Sequence, residues 1–374
     1  MRPGRPIRVL IVDDSALVRK MLSAALEVDK QIEVVGTAPD AYIARDKIFE
    51  LSPDVLTLDI EMPGMDGITF LKKLMQHKPL PVIIISSLGS AACQASLEAL
   101  RAGAVEILAK PNGPYSIGDL GQTLAAKIHT AFSARLPVFV PGHASLTENN
   151  LSFTNHYGVP SWRGSSSYRK NSIIVIGAST GGPEAVTQVL QQLPKDVPPI
   201  LVVQHMPAVF TQHFAQRLDR LCQIEVKEAE DGDKLLPGRA LVAPGNFHMM
   251  LKQSDAGYYV RIDDGPPVCY SRPSVDALFS SVAMIAGKDG IGVLLTGMGS
   301  DGARGLLQMR DCGAATFAQN EETCVVFGMP REAIQLGAVQ VTLPLGRIAD
   351  AILRQLTKAM DRTANLHVAA NVLL

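Results

Sequence analysis

The sequence is poor in the residues that mark several classes of protein. Its 374 residues include only five cysteines and one tryptophan, and aromatic residues make up 5% of the chain. The cysteines are odd in number and form no Cys-x-x-Cys pair, which argues against a disulfide framework or a zinc knuckle and favours a reducing compartment. The formal net charge is only −1. We therefore expect no general attraction to nucleic acid or to an anionic membrane surface.

Long apolar runs are also missing. The N-terminal residues lead into a strand of only a few apolar residues, and neither a signal peptide nor a membrane-length segment follows. We expect a cytoplasmic protein without direct membrane insertion. Hydrophobic residues make up 47% and charged residues 19% of the chain, as in compact soluble proteins. A chain of this length is too long for one ordinary core, so two domains are expected.

The N-terminal third alternates apolar strands with helical patterns. Strands are predicted to begin at Arg8, Ile32, Asp54, Pro81 and Ala104, and the first two helices to cover Ala16–Leu26 and Ala41–Leu51. Five strands separated by helices predict a parallel, doubly wound sheet. Ligands bind such sheets beyond the carboxyl ends of their strands.

Polar side chains follow four of these strands: Asp13 and Asp14, then Asp59, Ser86 and Lys110. Converging carboxylates repel one another, and hard oxygen ligands suit Mg²⁺ better than zinc. With Mg²⁺ nearby, Asp59 could act as a nucleophile toward a phosphoryl group, whose oxygens the Ser86 hydroxyl and the Lys110 ammonium would hold. A pair of aspartates after a strand is, taken alone, also typical of a solvated loop.

This set of residues resembles the receiver domain of two-component response regulators over about residues 7–127, including the pair Lys110-Pro111. The resemblance implies that Asp59 accepts phosphate from a histidine kinase. It also implies that Asp14, Asp59 and the Glu61 carbonyl bind Mg²⁺ directly, with Asp13 close by.

The chain is organised around the stretch Ser172–Glu184. An apolar strand breaks at Gly177, and Pro183 stands where a helix would begin. Ser179 lies between them, on a turn with free helix N–H groups behind it. That position suits a nucleophile whose intermediate carries an oxyanion. Alternatively, the hydroxyl only caps the helix.

Two later strands also end in residues that a serine nucleophile needs. His205 follows the strand that starts at Pro199, and Asp301 lies in a glycine-rich turn after the strand that starts at Ile291. If these strands are parallel neighbours of the Ser179 strand, the three side chains meet at one edge as nucleophile, base and orienting carboxylate. The order serine, histidine, aspartate differs from that of α/β-hydrolases. A histidine at a strand end can also be purely structural.

The glycine-rich turn Gly297–Gly302 also matches the spacing of a dinucleotide-binding loop, with Glu321 where a ribose-binding acid would lie. Asp301 would then face the pyrophosphate, like charge against like charge, which disfavours that alternative.

The second half resembles the catalytic domain of chemotaxis protein-glutamate methylesterases. The matching motifs are Gly177–Gly182, Gln204–Pro207, Ala243–Gly245, Arg272–Asp276 and Leu295–Gly302. The resemblance implies that Ser179, His205 and Asp301 hydrolyse methyl-glutamate on chemoreceptors and deamidate glutamine, with no cofactor for the esterase. It also implies that backbone N–H groups near Thr180 and Met298 stabilise the oxyanion.

We therefore expect an α/β protein with two doubly wound parallel sheets, flavodoxin-like in the receiver and Rossmann-like in the methylesterase. The predicted organisation is a receiver over residues 1–132, a Pro/Gly/Ser-rich linker over 133–170, a catalytic domain over 171–362 and a tail over 363–374. The unphosphorylated receiver is expected to pack over the Ser179 edge. Two other classes stay open: a phosphorylation-dependent interaction module, and a DNA-binding regulator, which the lack of a helix-turn-helix or basic stripe disfavours.

Overall fold

The computed structural model of the protein describes residues 5–110, 117–136 and 171–357. Pro111, the linker beyond Leu136 and the C-terminal tail lie outside the described residues. In the described part of the chain, no helix is long and apolar enough to cross a membrane.

The N-terminal unit is a five-stranded parallel sheet in the order β2-β1-β3-β4-β5, as expected for a flavodoxin-like receiver. Its elements in chain order are β1 (Ile7–Val12), α1 (Ala16–Leu26), β2 (Ile32–Ala38), α2 (Ala41–Leu51), β3 (Val55–Asp59), α3 (Gly67–His77), β4 (Val82–Ser86), α4 (Ser90–Arg101), β5 (Glu106–Ala109) and α5 (Ile117–Ser133).

Local sequence explains where these elements begin. Strands β3 and β4 are wholly buried, as the continuous apolar runs of a covered parallel sheet predict. The side chains of Ser15, Asp40 and Asp66 cap the first turns of α1, α2 and α3 by accepting backbone N–H groups. The two helices predicted from periodicity have the predicted bounds.

The second unit contains a seven-stranded parallel sheet in the order β14-β13-β12-β6-β7-β9-β8, and an antiparallel hairpin formed by β10 and β11. Its elements are β6 (Ile173–Ala178), α6 (Gly182–Leu190), β7 (Ile200–Gln204), α7 (Phe210–Leu221), β8 (Glu225–Glu228), β9 (Arg239–Val242), β10 (His248–Ser254), β11 (Gly257–Asp263), α8 (Val275–Ala286), β12 (Gly290–Leu294), α9 (Ala303–Asp311), β13 (Ala315–Gln319), α10 (Met329–Gln335) and β14 (Val341–Leu343). Residues 348–357 are also helical.

Strands β13 and β14 were not recognised from the sequence. β14 has three residues, none of them buried, so it carries no apolar run. β13 is buried, but its sequence Ala-Thr-Phe-Ala-Gln is short and mixed. β13 is defined by its pairing with β12 and β14 by its pairing with β13, which is a tertiary feature.

The two units pack against each other. One hydrophobic cluster continues from residues of the first sheet and its helices to residues of α6 and α7. At this contact, Nη1 of Arg217 on α7 donates to the Leu97 carbonyl on α4 at 3.2 Å, while Nη2 pairs with Glu184 on α6 at 2.8 Å. The N-terminal unit therefore meets the second unit on the side where α6 begins.

Candidate active site and phosphoacceptor site

The sheet places the three predicted active-site residues on neighbouring strands. β6 lies between β7 and β12, and all three are parallel, with Ala178 opposite Gln204 and Gly177 opposite Leu294. From β6 the chain adds β7 on one side and later returns to place β12 on the other, which makes β6 a topological switch point where crevices form. Ser179, His205 and Asp301 each follow one of these strands, as predicted.

His205 and Asp301 form a direct hydrogen-bonded pair. Nε2 of His205 lies 2.8 Å from Oδ2 of Asp301, and the Asp301 side chain is only 3% exposed. Burial alone would raise the pKa of the Asp301 carboxyl. The hydrogen bond and charge of His205, the Asp276 N–H and the Ser274 hydroxyl together hold that pKa below its usual value. The carboxylate is therefore ionised and held against the imidazole, and this engagement leaves it unsuited to face a pyrophosphate.

Ser179 is not a helix cap. The N-cap residue of α6 is Gly181, which has no side chain to offer. The Ser179 backbone is fixed instead, because its N–H donates to the Thr296 carbonyl at 3.0 Å and its carbonyl accepts from Gln204 Nε2 at 2.8 Å. Within the described ranges, the Ser179 hydroxyl has no hydrogen-bonded partner. The capping alternative is therefore wrong, and the hydroxyl is available for other chemistry.

Two glycines make this turn possible. Gly181 has a φ of +76°, a conformation that side chains disfavour, and a Cβ there would lie 2.6 Å from Val325. At Gly297, a Cβ would lie 2.7 Å from the Cβ of Ser179. The backbone of the second glycine-rich turn thus passes directly behind the serine.

The backbone N–H groups of Thr180 and Met298, the two predicted oxyanion donors, are not hydrogen-bonded within the described part of the chain. Their side chains instead contact the N-terminal unit. Thr180 Oγ1 donates to Glu106 Oε2 at 2.6 Å, and Thr130 Oγ1 contacts Met298 Sδ. Lys127 Nζ lies 3.1 Å from the same Glu106 oxygen. The N-terminal unit therefore contacts both Thr180 and Met298.

Several residues around the serine were missed by sequence reasoning. Gln204 braces the ends of β6 and β7, and the Thr296 hydroxyl donates to the Thr180 carbonyl at 2.9 Å. Ser274 donates to Asp301. Ser274 was recognisable as a helix cap from its place before an apolar helix. Its partner across 27 residues was not, because nothing local encodes that contact.

The predicted phosphoacceptor site brings together four of the predicted residues. Lys110 Nζ lies 2.7 Å from Asp59 Oδ2 and 3.1 Å from Asp13 Oδ2. Burial raises the pKa values of the Asp13 and Asp59 carboxyls, and Lys110 offsets this only in part. Asp13, Asp14 and Asp59 each offer an oxygen within 4.8 Å of the others. Three hard oxygen donors at this spacing fit Mg²⁺.

Ser86 and Glu61 lie at the same edge in different roles. The Ser86 hydroxyl is buried and points to the carbonyls of Ser87 and Ala92, at 3.3 and 3.5 Å, rather than to Asp59. Glu61 is exposed, and its N–H donates to Asp59 Oδ1 at 3.3 Å. The structure thus places Ser86 beside the predicted site without a bond to the Asp59 carboxylate.

Comparison with known proteins agrees with the family resemblance of each half of the chain. Residues 174–352 match the family model described as CheB methylesterase, and residues 9–120 match the response regulator receiver domain. A protein-glutamate methylesterase/protein-glutamine glutaminase of Syntrophus aciditrophicus is 53% identical over 93% of this chain and 98% of its own. A protein of the same name from Salmonella typhimurium is 47% identical over 94% of this chain and 97% of its own. The Thermotoga maritima CheB methylesterase catalytic domain is 41% identical, covers 49% of this chain and 98% of that one, and has a TM-score of 0.48.

The two family-model matches define the class of protein: a response regulator whose receiver precedes an esterase domain. Within that class, the chain belongs to the family of protein-glutamate methylesterases/protein-glutamine glutaminases.

Proposed function

We propose that the protein is a phosphorylation-activated serine hydrolase that acts on chemoreceptors, hydrolysing methyl-glutamate esters and deamidating glutamine. The observation that carries the catalytic half is the His205–Asp301 hydrogen bond, formed by residues that follow the two strands flanking the Ser179 strand. Relatives named protein-glutamate methylesterase/protein-glutamine glutaminase, which align over 93% and 94% of this chain, support the substrate class.

In the proposed reaction, the Ser179 oxygen attacks the side-chain carbonyl carbon of methyl-glutamate, and His205 takes the serine proton. Because Asp301 engages Nε2, the nitrogen that remains to take the serine proton in this proposal is Nδ1. Chymotrypsin-type triads use the two nitrogens the other way round. The C–O bond to the methoxy group then breaks, and His205 returns the proton so that methanol leaves.

Water completes the cycle. His205 removes a proton from water, which attacks the acyl-serine, and the glutamate carboxylate leaves as Ser179 regains its proton. With a glutamine substrate, the same steps release ammonia. The N–H groups of Thr180 and Met298, which have no hydrogen-bond partner among the described residues, are proposed as the oxyanion donors in both cases.

In the receiver, Asp59 is the proposed phosphoacceptor, and a chemotaxis histidine kinase is the proposed phosphodonor. Asp14, Asp59 and the Glu61 carbonyl would hold Mg²⁺, with Asp13 beside it. The ion would supply positive charge against the phosphoryl oxygens. Lys110 contacts the acceptor carboxylate, and Ser86 is proposed to turn toward the phosphoryl group once it is attached.

The contacts that the receiver makes beside Ser179 are the basis of the proposed inhibition. Thr180 and Met298 would have to be free for a receptor helix to reach Ser179, and in this conformation Glu106 and Thr130 engage both side chains. Phosphorylation of Asp59 would shift the population toward a conformation without these contacts. We assign the domains to residues 1–132 and 171–362, joined by the linker, and propose a cytoplasmic location.

The direct test of this function is methanol release from membranes that carry methylated receptors, measured with and without a small phosphodonor and Mg²⁺. Release that rises with the phosphodonor supports both halves of the proposal. Release that does not change with the phosphodonor supports the esterase activity and refutes its activation by phosphorylation. Absence of release in both conditions refutes the esterase and favours an interaction module.

We expect Asp59→Asn to abolish the response to the phosphodonor while basal release stays within about twofold of wild type. Asparagine keeps the size of the side chain but lacks the carboxylate nucleophile that forms the acyl phosphate. Methanol release with and without phosphodonor measures the effect. Asp46→Asn, an exposed carboxylate on α2, serves as the control and keeps the full response. Activation that persists in Asp59→Asn places the phosphoacceptor elsewhere.

Mg²⁺ should stabilise the protein by mass action, because only the folded receiver assembles the three carboxylates. At 100 times its dissociation constant, a ligand of the native state contributes about 2.7 kcal/mol. We expect denaturant unfolding of wild type to shift to higher urea when Mg²⁺ is added, and Asp14→Asn to lose the shift. An equal shift in both proteins contradicts the assigned ligand set.

A further inference from the structure

Asp301 is held by more than His205. Its Oδ1 accepts from the Ser274 hydroxyl at 2.8 Å and the Asp276 N–H at 2.9 Å, and its Oδ2 accepts from the Val275 N–H at 2.8 Å in addition to His205. Three of the four donors therefore come from residues 274–276, where α8 begins. Ser274 is the only one of those three that donates through its side chain, so it is the one that a substitution can remove.

We propose that Ser274 is a positioning residue of the hydrolase, whose hydroxyl fixes the Asp301 carboxylate in the orientation that holds His205 toward Ser179. The inference rests on the proposed function and extends it to a residue outside the Ser179–His205–Asp301 set.

The direction of the hydroxyl proton distinguishes this role from ordinary capping. Ser274 Oγ accepts the Ala277 N–H at 3.3 Å, as an N-cap side chain does. An ionised carboxylate can only accept hydrogen bonds, so the single Ser274 proton must point to Asp301. Both functions use the same oxygen, but only the donation reaches the active site. Because Oδ1 and Oδ2 each receive two donors, the carboxylate cannot rotate without breaking hydrogen bonds.

Ser274 is itself held in place by a hydrogen bond to a buried histidine. Its backbone N–H donates to Nδ1 of His248 at 3.2 Å, and Nε2 of His248 lies 3.0 Å from the Pro266 carbonyl. Since Nδ1 accepts, the proton of a neutral His248 ring must be on Nε2, where it donates to that carbonyl. Ser274 is fully buried and His248 is 4% exposed. A chain of hydrogen bonds thus runs from the carbonyl of the exposed Pro266 through the buried His248 and Ser274 to Asp301.

The charged groups around Asp301 determine what loss of the hydroxyl should do. His205 bonds to it from the end of β7, while Asp276 and Cys269 each have an atom within 4.8 Å of its carboxylate. The Asp276 carboxylate is occupied by the Gly305 N–H at 2.7 Å and by the Cys269 thiol at 3.6 Å. Without the Ser274 donor, the His205–Asp301 pair would hold a proton more strongly, because the ionised carboxylate loses a stabilising bond.

The experiment compares Ser274→Ala, Ser274→Gly and Ser274→Thr in the full chain, using p-nitrophenyl acetate so that kcat and KM are measured without a receptor. We expect kcat to fall about tenfold to a hundredfold in the Ala and Gly variants, as for a misplaced catalytic group, with KM little changed. The acidic limb of the kcat/KM profile should move to higher pH. Threonine, which keeps the hydroxyl, should recover most of kcat and the wild-type limb.

Ser281→Ala is the matched control. Ser281 lies buried on the same helix and bonds to Leu251 N–H and the Leu278 carbonyl, away from Asp301. It should lower the melting temperature without moving the pH profile. Glycine is nearly as good an N-cap as serine, so Ser274→Gly carries the test if the alanine variant does not fold. A Ser274→Gly protein with wild-type kcat and an unmoved acidic limb overturns the inference and leaves Ser274 as a cap. Ser179→Ala, assayed alongside, distinguishes failure of this inference from failure of the proposed function, because activity in that variant overturns the proposed function.

Discussion

Ser179→Ala should lower methanol release by about four to six orders of magnitude, as removal of the nucleophile does in other serine hydrolases. The physical reason is that His205 and Asp301 then have no oxygen to activate, while substrate binding is retained. The fold should not change, because the Ser179 contacts in the structure are made by its backbone N–H and carbonyl. Initial rates of methanol release, with melting temperature beside them, measure both expectations.

Ser254→Ala is a suitable control for this substitution. Ser254 lies at the exposed end of the β10–β11 hairpin, where its hydroxyl bonds to the Gly257 carbonyl, so the change removes a serine hydroxyl away from the candidate active site. It should keep wild-type release. If Ser179→Ala also keeps near-wild-type release, the nucleophile is another group and the assignment of all three catalytic residues fails.

The second large effect is expected from loss of the receiver. Deletion of residues 1–140 should raise basal release about tenfold or more in the absence of phosphodonor, a factor that corresponds to about 1.4 kcal/mol of bias per tenfold. The reason is that Thr180 and Met298 lose their contacts with Glu106 and Thr130. Methanol release from receptor membranes measures it. The truncated protein should also lose its response to phosphodonor.

A point variant tests the same contact without exposing the apolar interface. In full-length Glu106→Gln, the interaction of Thr180 with a charged acceptor becomes a weaker neutral one, and the Lys127 ion pair is lost. We expect a smaller rise in basal release, about threefold. Lys72→Gln, which removes an exposed ion pair with Glu98 on the receiver surface, should have no effect. A truncated protein no more active than the resting full-length enzyme contradicts inhibition by occlusion.

The main candidate site residues could be predicted from the sequence, because parallel α/β folds place functional side chains at one edge of the sheet. Ser179 and His205 directly follow buried strands and Asp301 lies in the turn after a third, and a polar residue after an apolar run is visible without a structure. Asp59 and Lys110 were predicted for the same reason. The alternatives were harder to exclude. That Ser179 is not a cap depends on Gly181 being the N-cap residue of α6, a boundary that local patterns leave uncertain by a residue or two.

Which strands lie next to each other, by contrast, could not be predicted from the sequence. The meeting of the three side chains was therefore conditional on their strands being parallel neighbours. β12 begins more than a hundred residues after β6 and pairs beside it, and the edge strands β13 and β14 were missed because their own residues carry little signal. Such pairings depend on how the whole sheet buries its faces, so a local sequence pattern determines strand residues without determining their order.

Sequence alone determined which residues are chemically competent: a serine on a strand-to-helix turn, a histidine and an aspartate after two further strands, and an acidic set with a lysine in the receiver. Tertiary structure decided how they are used. It gave Nε2 of His205 to Asp301, set Ser274 and His248 behind that carboxylate, and brought Glu106 to Thr180. The physical reason is that hydrogen bonds are directional and short. Residue type can offer a donor or an acceptor, but only packing of distant segments brings the two within 3 Å.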